Sequence, residues 1–181
     1  AMSEIAAFAK AIFKKAGKRS RMVVAIAGPP AAGKSTLAAN LAGVFEKGTA
    51  AVVPMDGYHF DDGILIARGQ RSRKGAPETF DYYGFESLLK RIRANEHDVA
   101  IPVFDRSVEL SRAGAAIVSR DVRFVLVEGN YLLLDEAPWR NLAPLFDFTI
   151  YIDVPRFELE RRLIQRWDEY GKTPEEARAW I

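Results

Sequence analysis

Residues 28–35 read GPPAAGKS and satisfy GxxxxGKS at every fixed position. Such a loop constrains the fold because it works only where a strand delivers it and a helix starts at its lysine. The flanks supply both, an apolar strand-like run at residues 22–27 (MVVAIA) and a helix-like run at 36–42 (TLAANLA). The turn then presents backbone N–H groups to phosphates, Lys34 reaches the β- and γ-phosphates of a nucleotide, and the Ser35 hydroxyl is placed to ligate Mg2+. Gly28, Pro29, Pro30, Ala31, Ala32, Gly33, Lys34, Ser35 and Thr36 are therefore the expected nucleotide-binding segment, for ATP or GTP. A purely structural glycine turn would leave the lysine and serine unexplained.

Helix-like and strand-like segments alternate along the chain. Strands are expected at 22–27 and 50–54, helices at 34–45 and 84–94, further strands near 98–103 and 115–118, and apolar strand runs at 123–127 and 148–152. Alternation of this kind predicts a mainly parallel sheet covered on both faces. The fold class is thus α/β, a P-loop NTPase fold with three α/β/α layers and a small lid. A helix opens after Pro155, where proline suits a first turn because its missing N–H would be unpaired there. Residues 3–18 are basic and amphipathic and read as an ordinary helix laid on the domain rather than a targeting or membrane-surface segment. Residues 57–80 read as a long irregular stretch apart from 64–66, and such stretches often carry function.

At 181 residues and 49% hydrophobic composition the chain suits one domain, 1–181. Residues 174–181 start a helix pattern with no stop signal, so the natural protein is expected to continue. A net charge of +2 offers no global field for nucleic acid or an anionic membrane. With no cysteine there is no disulfide, thiolate metal site or cysteine nucleophile, and a cytoplasmic location is the default. No apolar run approaches the ~18 residues of a membrane span. The expected partner is a small molecule bearing a hydroxyl; monomer and homodimer are equally compatible with the sequence.

Phosphate chemistry with Mg2+ requires an acid near the loop, usually at the end of a neighbouring buried strand. Glu128 ends the apolar run 125–127 and Asp56 follows 52–55, both at carboxyl ends of strands where ligands bind in open α/β sheets. Two acids on one ion would leave no group for the acceptor. Asp56 is therefore assigned to the attacking hydroxyl and Glu128 to Mg2+ through water. Arg162 and Arg166 share a helix face and could reach over the nucleotide as a lid; the alternative is salt bridging with Glu158 and Glu160, which Arg161 suits best.

These residues are similar to the P-loop kinase family that contains uridine kinase, bacterial pantothenate kinase and phosphoribulokinase. The resemblance rests on GPPAAGKST, MDGYHF at 55–60, KGAPETFD at 74–81, PVFDR at 102–106 and VEGNYLL at 127–133. The variant MDGYHFDD with FDR and EGNYLLL most resembles a bacterial subgroup labelled fructose transport system kinase or nucleoside-kinase-like protein. The resemblance implies ATP and Mg2+ as cofactors, Asp56 facing the acceptor hydroxyl, Lys34, Ser35 and Glu128 handling phosphates and Mg2+, and a lid helix carrying Arg162 and Arg166. The chain departs from uridine kinases after its PVFD element, where it reads RSVE.

Tyr58, His59, Arg68, Arg71, Arg73, Lys74, Tyr82 and Arg106 come from segments expected around the acceptor, with Arg106 the leading candidate. Basic and aromatic residues suit a hydroxylated acceptor, with or without a carboxylate or phosphate. His59 is equally suited to bonding the backbone of its turn, and 68–74 to a solvated face. The expected function is a Mg·ATP-dependent kinase acting on an alcohol, a sugar such as fructose, with a nucleoside or pantothenate-type kinase or a non-catalytic nucleotide-binding regulator as alternatives. A GTPase switch lacks its NKxD segment here.

Overall fold

The structure, a computed structural model, describes residues 2–169; for residues 2, 156–157 and 166–169 it describes the backbone alone. Four parallel strands, β1 (Met22–Ala27), β2 (Ala50–Pro54), β5 (Phe124–Gly129) and β6 (Phe148–Tyr151), form the central sheet in the order β2-β5-β1-β6. The alternation of side chains in β1 explains its unbroken apolar sequence. Val23, Ala25 and Ala27 enter one core with Val53, Val125, Val127, Phe85 and Trp139. Met22, Val24 and Ile26 enter another with Ile12, Ala38, Leu41, Phe124 and Leu126. Both faces are dry, as parallel strands require, and each large side chain fully buried in them contributes roughly 1.5–3 kcal/mol.

Helices α1 (Met2–Ala16) and α2 (Lys34–Val44) cover one face, and α4 (Tyr82–Ala94) covers the other together with the 3-10 segment Trp139–Leu145. Residues 3–18 thus lie on the domain, with Ile5, Ala9, Ile12 and Ala16 buried. Helix α4 begins two residues earlier than its periodicity predicts because the Asp81 side chain accepts from Gly84 N at 3.0 Å, an N-cap.

Two features depart from the sequence expectations. Residues 57–80 are ordered in short pieces: a 3-10 turn at Met55–Tyr58, helix α3 (Asp62–Ala67), and 3-10 turns at Arg71–Arg73 and Pro77–Thr79. Asp61 caps α3 through Gly63 N at 2.9 Å, a local bond that apolar periodicity does not register. The strands near 98–103 and 115–118 are longer than expected and separate from the main sheet, forming an antiparallel pair β3 (Val99–Asp105) and β4 (Leu110–Val118). Their register shifts between Ile101 and Val103, at Pro102, which has no N–H for the ladder. The buried Arg21 guanidinium donates to Val122 O, Ile92 O and Ser119 O at 2.9, 2.9 and 2.7 Å, tying the root of this pair to α4 and the main sheet.

Helix α5 (Arg156–Glu169) follows β6 and returns over the loop between β1 and α2. Among the described residues no helix is long and apolar enough to cross a membrane.

Candidate active site

The carboxyl ends of β1, β2 and β5 converge on a cleft of about 370 Å3. One wall is the loop at 28–33. Gly33 has φ 95°, a left-handed backbone that glycine adopts without steric cost, and it delivers Lys34 as the first residue of α2. No side chain caps α2, so its amino end offers backbone N–H groups and a partial positive charge to an anion. Lys34 is 8% exposed and donates to Pro29 O at 2.9 Å, which draws the ammonium over the loop.

The period of β5 explains how Glu128 reaches this loop. Phe124 and Leu126 face α2, and Glu128 continues that alternation toward the amino end of the same helix. There Ser35 Oγ donates to Glu128 Oε1 at 3.2 Å. Glu128 is 6% exposed. Burial, reinforced by the charge of Asp56, pushes its carboxyl above the ordinary range, while Lys34, Ser35 and Arg106 oppose the shift. A serine hydroxyl beside a buried carboxylate is a pair of hard oxygen donors, the chemistry Mg2+ selects. Among the described residues no three His, Cys, Asp or Glu side chains gather into a metal cage. An ion here would complete its shell with phosphate and water, as Mg2+ commonly does.

Asp56 lies across the cleft in the turn after β2, where Arg106 Nη2 donates to its Oδ2 at 2.8 Å. His59 Nδ1 donates to the Asp56 carbonyl at 2.8 Å; a carbonyl can only accept, so the proton sits on Nδ1. The ring is held between Phe80 and Phe104, with centroids at 4.1 and 4.7 Å. Burial keeps His59 below its usual pKa despite the nearby Asp56, so the imidazole is neutral near pH 7.

Lys34, Ser35, Thr36, Asp56, His59, Glu128, Arg106 and Arg162 all line the cleft, together with Pro30, Ala31 and Gly33. Arg162 Nε donates to Glu158 at 2.9 Å and its Nη1 to the loop carbonyls of Ala31 and Ala32 at 3.2 and 3.4 Å. Arg161 instead pairs with Glu158 on the solvent side, as expected. The Arg166 side chain lies outside the described residues.

Four residues from the expected acceptor segments do not line the cleft: Arg68 lies over the Phe60 ring at 4.7 Å, Arg73 pairs with Glu78, and two tyrosines turn away. Tyr58 packs on Phe85 at 5.4 Å, and Tyr82 is buried against Trp139 at 5.2 Å with its hydroxyl donating to Glu86. Tyr82 enters the apolar core under α4 and Tyr58, partly buried, packs against it.

Other residues take the acceptor side. Lys74 lines the cleft with only 7% of its side chain exposed, although 68–74 reads as a solvated face in sequence. Asn130 and Tyr131, in the quoted EGNYLLL run, also line it; the Tyr131 hydroxyl donates to Gly75 O at 2.5 Å. Burial, with Glu78 and Asp56 adding to it, pushes Tyr131 up to about 12, so it remains a neutral donor. Their position just past the carboxyl end of β5 was the available signal.

Comparison with known proteins gives a consistent grouping. The model of the Phosphoribulokinase / Uridine kinase family matches residues 23–179. The uncharacterised protein YggC of Escherichia coli is 37% identical over 88% of this chain and 68% of its own length. A pantothenate kinase of Myxococcus xanthus is 31% identical over 83% of this chain, which spans 51% of that enzyme. A crystal structure from Silicibacter sp. TM1040, of a protein provisionally named a fructose transport system kinase, is 42% identical with a TM-score of 0.90, over 97% of this chain and 86% of that one.

Proposed function

The chain belongs to the Phosphoribulokinase / Uridine kinase family, and from that premise we propose that it transfers the γ-phosphoryl group of Mg·ATP to a hydroxyl of a sugar such as fructose. Members of this family are kinases that phosphorylate hydroxyl groups, so the chain is a phosphotransferase with an alcohol acceptor. The observation that carries the finer reading is the opposition of Asp56 to the Ser35–Glu128 pair within one cleft.

Lys34 and the amino end of α2 hold the phosphates, and Arg162 adds positive charge where the loop turns. Ser35 and Glu128 would hold Mg2+, which when bound offsets phosphate charge. Asp56 orients the acceptor hydroxyl and takes its proton as the bond to phosphorus forms, while Arg106 fixes the direction of its carboxylate. The aromatic floor made by Phe104 and His59 suits the faces of a sugar ring. The name of the Silicibacter structure supports a sugar, and relatives named pantothenate kinase support the alternative acceptor.

The test is acceptor-dependent ADP release across sugars, nucleosides and pantothenate, with Asp56→Asn beside the parent. General-base loss predicts a 10²–10⁴-fold fall in kcat with ATP binding retained. Unchanged turnover in Asp56→Asn removes Asp56 from the role, and ATP binding without turnover on any acceptor favours a nucleotide-binding regulator.

A further inference from the structure

The acceptor side of the cleft is assembled from residues 56–80 and from the turn joining β3 to β4, residues 106–109. The cations of this side that line the cleft, Arg71, Lys74 and Arg106, each face a carboxylate. Arg71 Nε meets Asp62 at 3.0 Å, Lys74 Nζ meets Asp62 at 2.7 Å and Glu109 at 2.9 Å, and Arg106 meets Asp56 at 2.8 Å. Burial opposes ionisation of Asp62, but Lys74 and Arg71 outweigh it and hold the carboxyl below the usual range, so its charge persists at neutral pH. Only 7% of the Lys74 side chain is exposed and its ammonium lies between the Asp62 and Glu109 carboxylates, so its charge is balanced within the site. Phe104 underlies both cations, 5.0 Å from Lys74 Nζ and 5.5 Å from the Arg106 guanidinium.

Ion pairs above a ring present donors and acceptors together, which matches hydroxyl groups that both give and accept hydrogen bonds. An acceptor bearing a carboxylate or phosphate would meet a lysine already neutralised, with carboxylates on either side of it. This favours the uncharged sugar of the sequence expectation over an acceptor that also carries a carboxylate or phosphate. Glu109 is the partner that comes from the turn between β3 and β4. It lies on the hairpin turn with φ 55°, lines the cleft, and is more exposed than Lys74.

We propose that Glu109 is a specificity-determining residue: by balancing Lys74 from the β3–β4 turn it admits uncharged polyhydroxylated acceptors and rejects anionic ones. The inference rests on the kinase reading above and narrows its acceptor.

Binding is measured by calorimetry with a non-hydrolysable ATP analogue and Mg2+ present, so that no chemistry is needed. D-fructose, D-ribose and glycerol are compared with D-gluconate, D-ribonate and D-glycerate. The parent protein is expected to bind the neutral member of at least one pair tenfold or more tightly than its carboxylate. Glu109→Gln should cut that preference at least tenfold, and Glu109→Asp should keep it. Unchanged ATP-analogue affinity and a single cooperative melt in both variants report that the fold is intact. Tighter binding of the carboxylates by the parent, or an unchanged preference in a folded Glu109→Gln, overturns the role of Glu109 and leaves the kinase reading standing. Binding of no acceptor by a protein that binds the nucleotide overturns both.

Discussion

At Glu128 burial and ionisation oppose each other: the carboxyl is almost inaccessible to solvent, and its pKa is raised by burial and by the Asp56 charge. A raised folded-state pKa means that the folded protein binds the proton more tightly than the unfolded chain. Stability attributable to this group is therefore greatest below its unfolded pKa, near 4.3, and is lost as pH rises through the folded value. Glu128→Gln removes the buried charge while keeping an acceptor for Ser35. At pH 7.5 without nucleotide the variant is expected to melt about 2–4 °C higher, the change that about 1 kcal/mol produces in a chain of this size. The gain should shrink as pH falls toward 4.5, and acceptor-dependent turnover should fall at least 10²-fold. Scanning calorimetry across pH, with steady-state kinetics, checks the pairing of higher stability with lost activity. A lower Tm in the variant would mean that Glu128 is held by bonds that favour its charged form.

The elements matter through the points where one backbone meets another. Asp56 has no strand of its own; it sits on a 3-10 turn whose first residue, Met55, is buried against the last residue of β5. A Cβ placed on Gly129 would stand 2.5 Å from Met55 Cβ and 2.8 Å from its sulfur, closer than atoms pack. Gly129→Ala is therefore expected to cost about 1–3 kcal/mol, the range for overpacking a core. It should lower kcat at least tenfold by displacing the Asp56 turn, while the affinity for ATP changes little because the loop at 28–36 is untouched. Urea midpoints and separate kcat and KM values check both parts. Helix α5 acts in the same way from above, since Arg162 bridges Glu158 and the loop carbonyls and so registers the helix on the nucleotide wall.

In the whole molecule the buried parallel sheet and the β3–β4 pair are separate structures that share a cleft. Amides of β1 and β5, buried on both faces, are expected to exchange with solvent only on global unfolding, and those of the largely exposed β4 at least tenfold faster. Hydrogen exchange followed by mass spectrometry reads this difference, and equal protection would show the two sheets opening as one unit. The separation also explains what was legible beforehand. The nucleotide wall is contiguous in the chain, so its residues are written as a motif. Asp56 and Glu128 are readable because one follows an apolar strand closely and the other lies at the end of one, and parallel strands bring those ends to one edge. No comparable rule governs the acceptor wall. Lys74 meets Glu109, Arg106 meets Asp56 and Tyr131 meets Gly75 across long stretches of sequence. Tyr82 enters the core under α4 and Tyr58 packs against it. The sequence by itself determined the α/β fold, the phosphate loop and its two acids, because periodicity and local turn chemistry specify them. Tertiary structure alone decided which cations are neutralised and which aromatics face the acceptor, because ion pairing and burial depend on distances that only the folded chain creates.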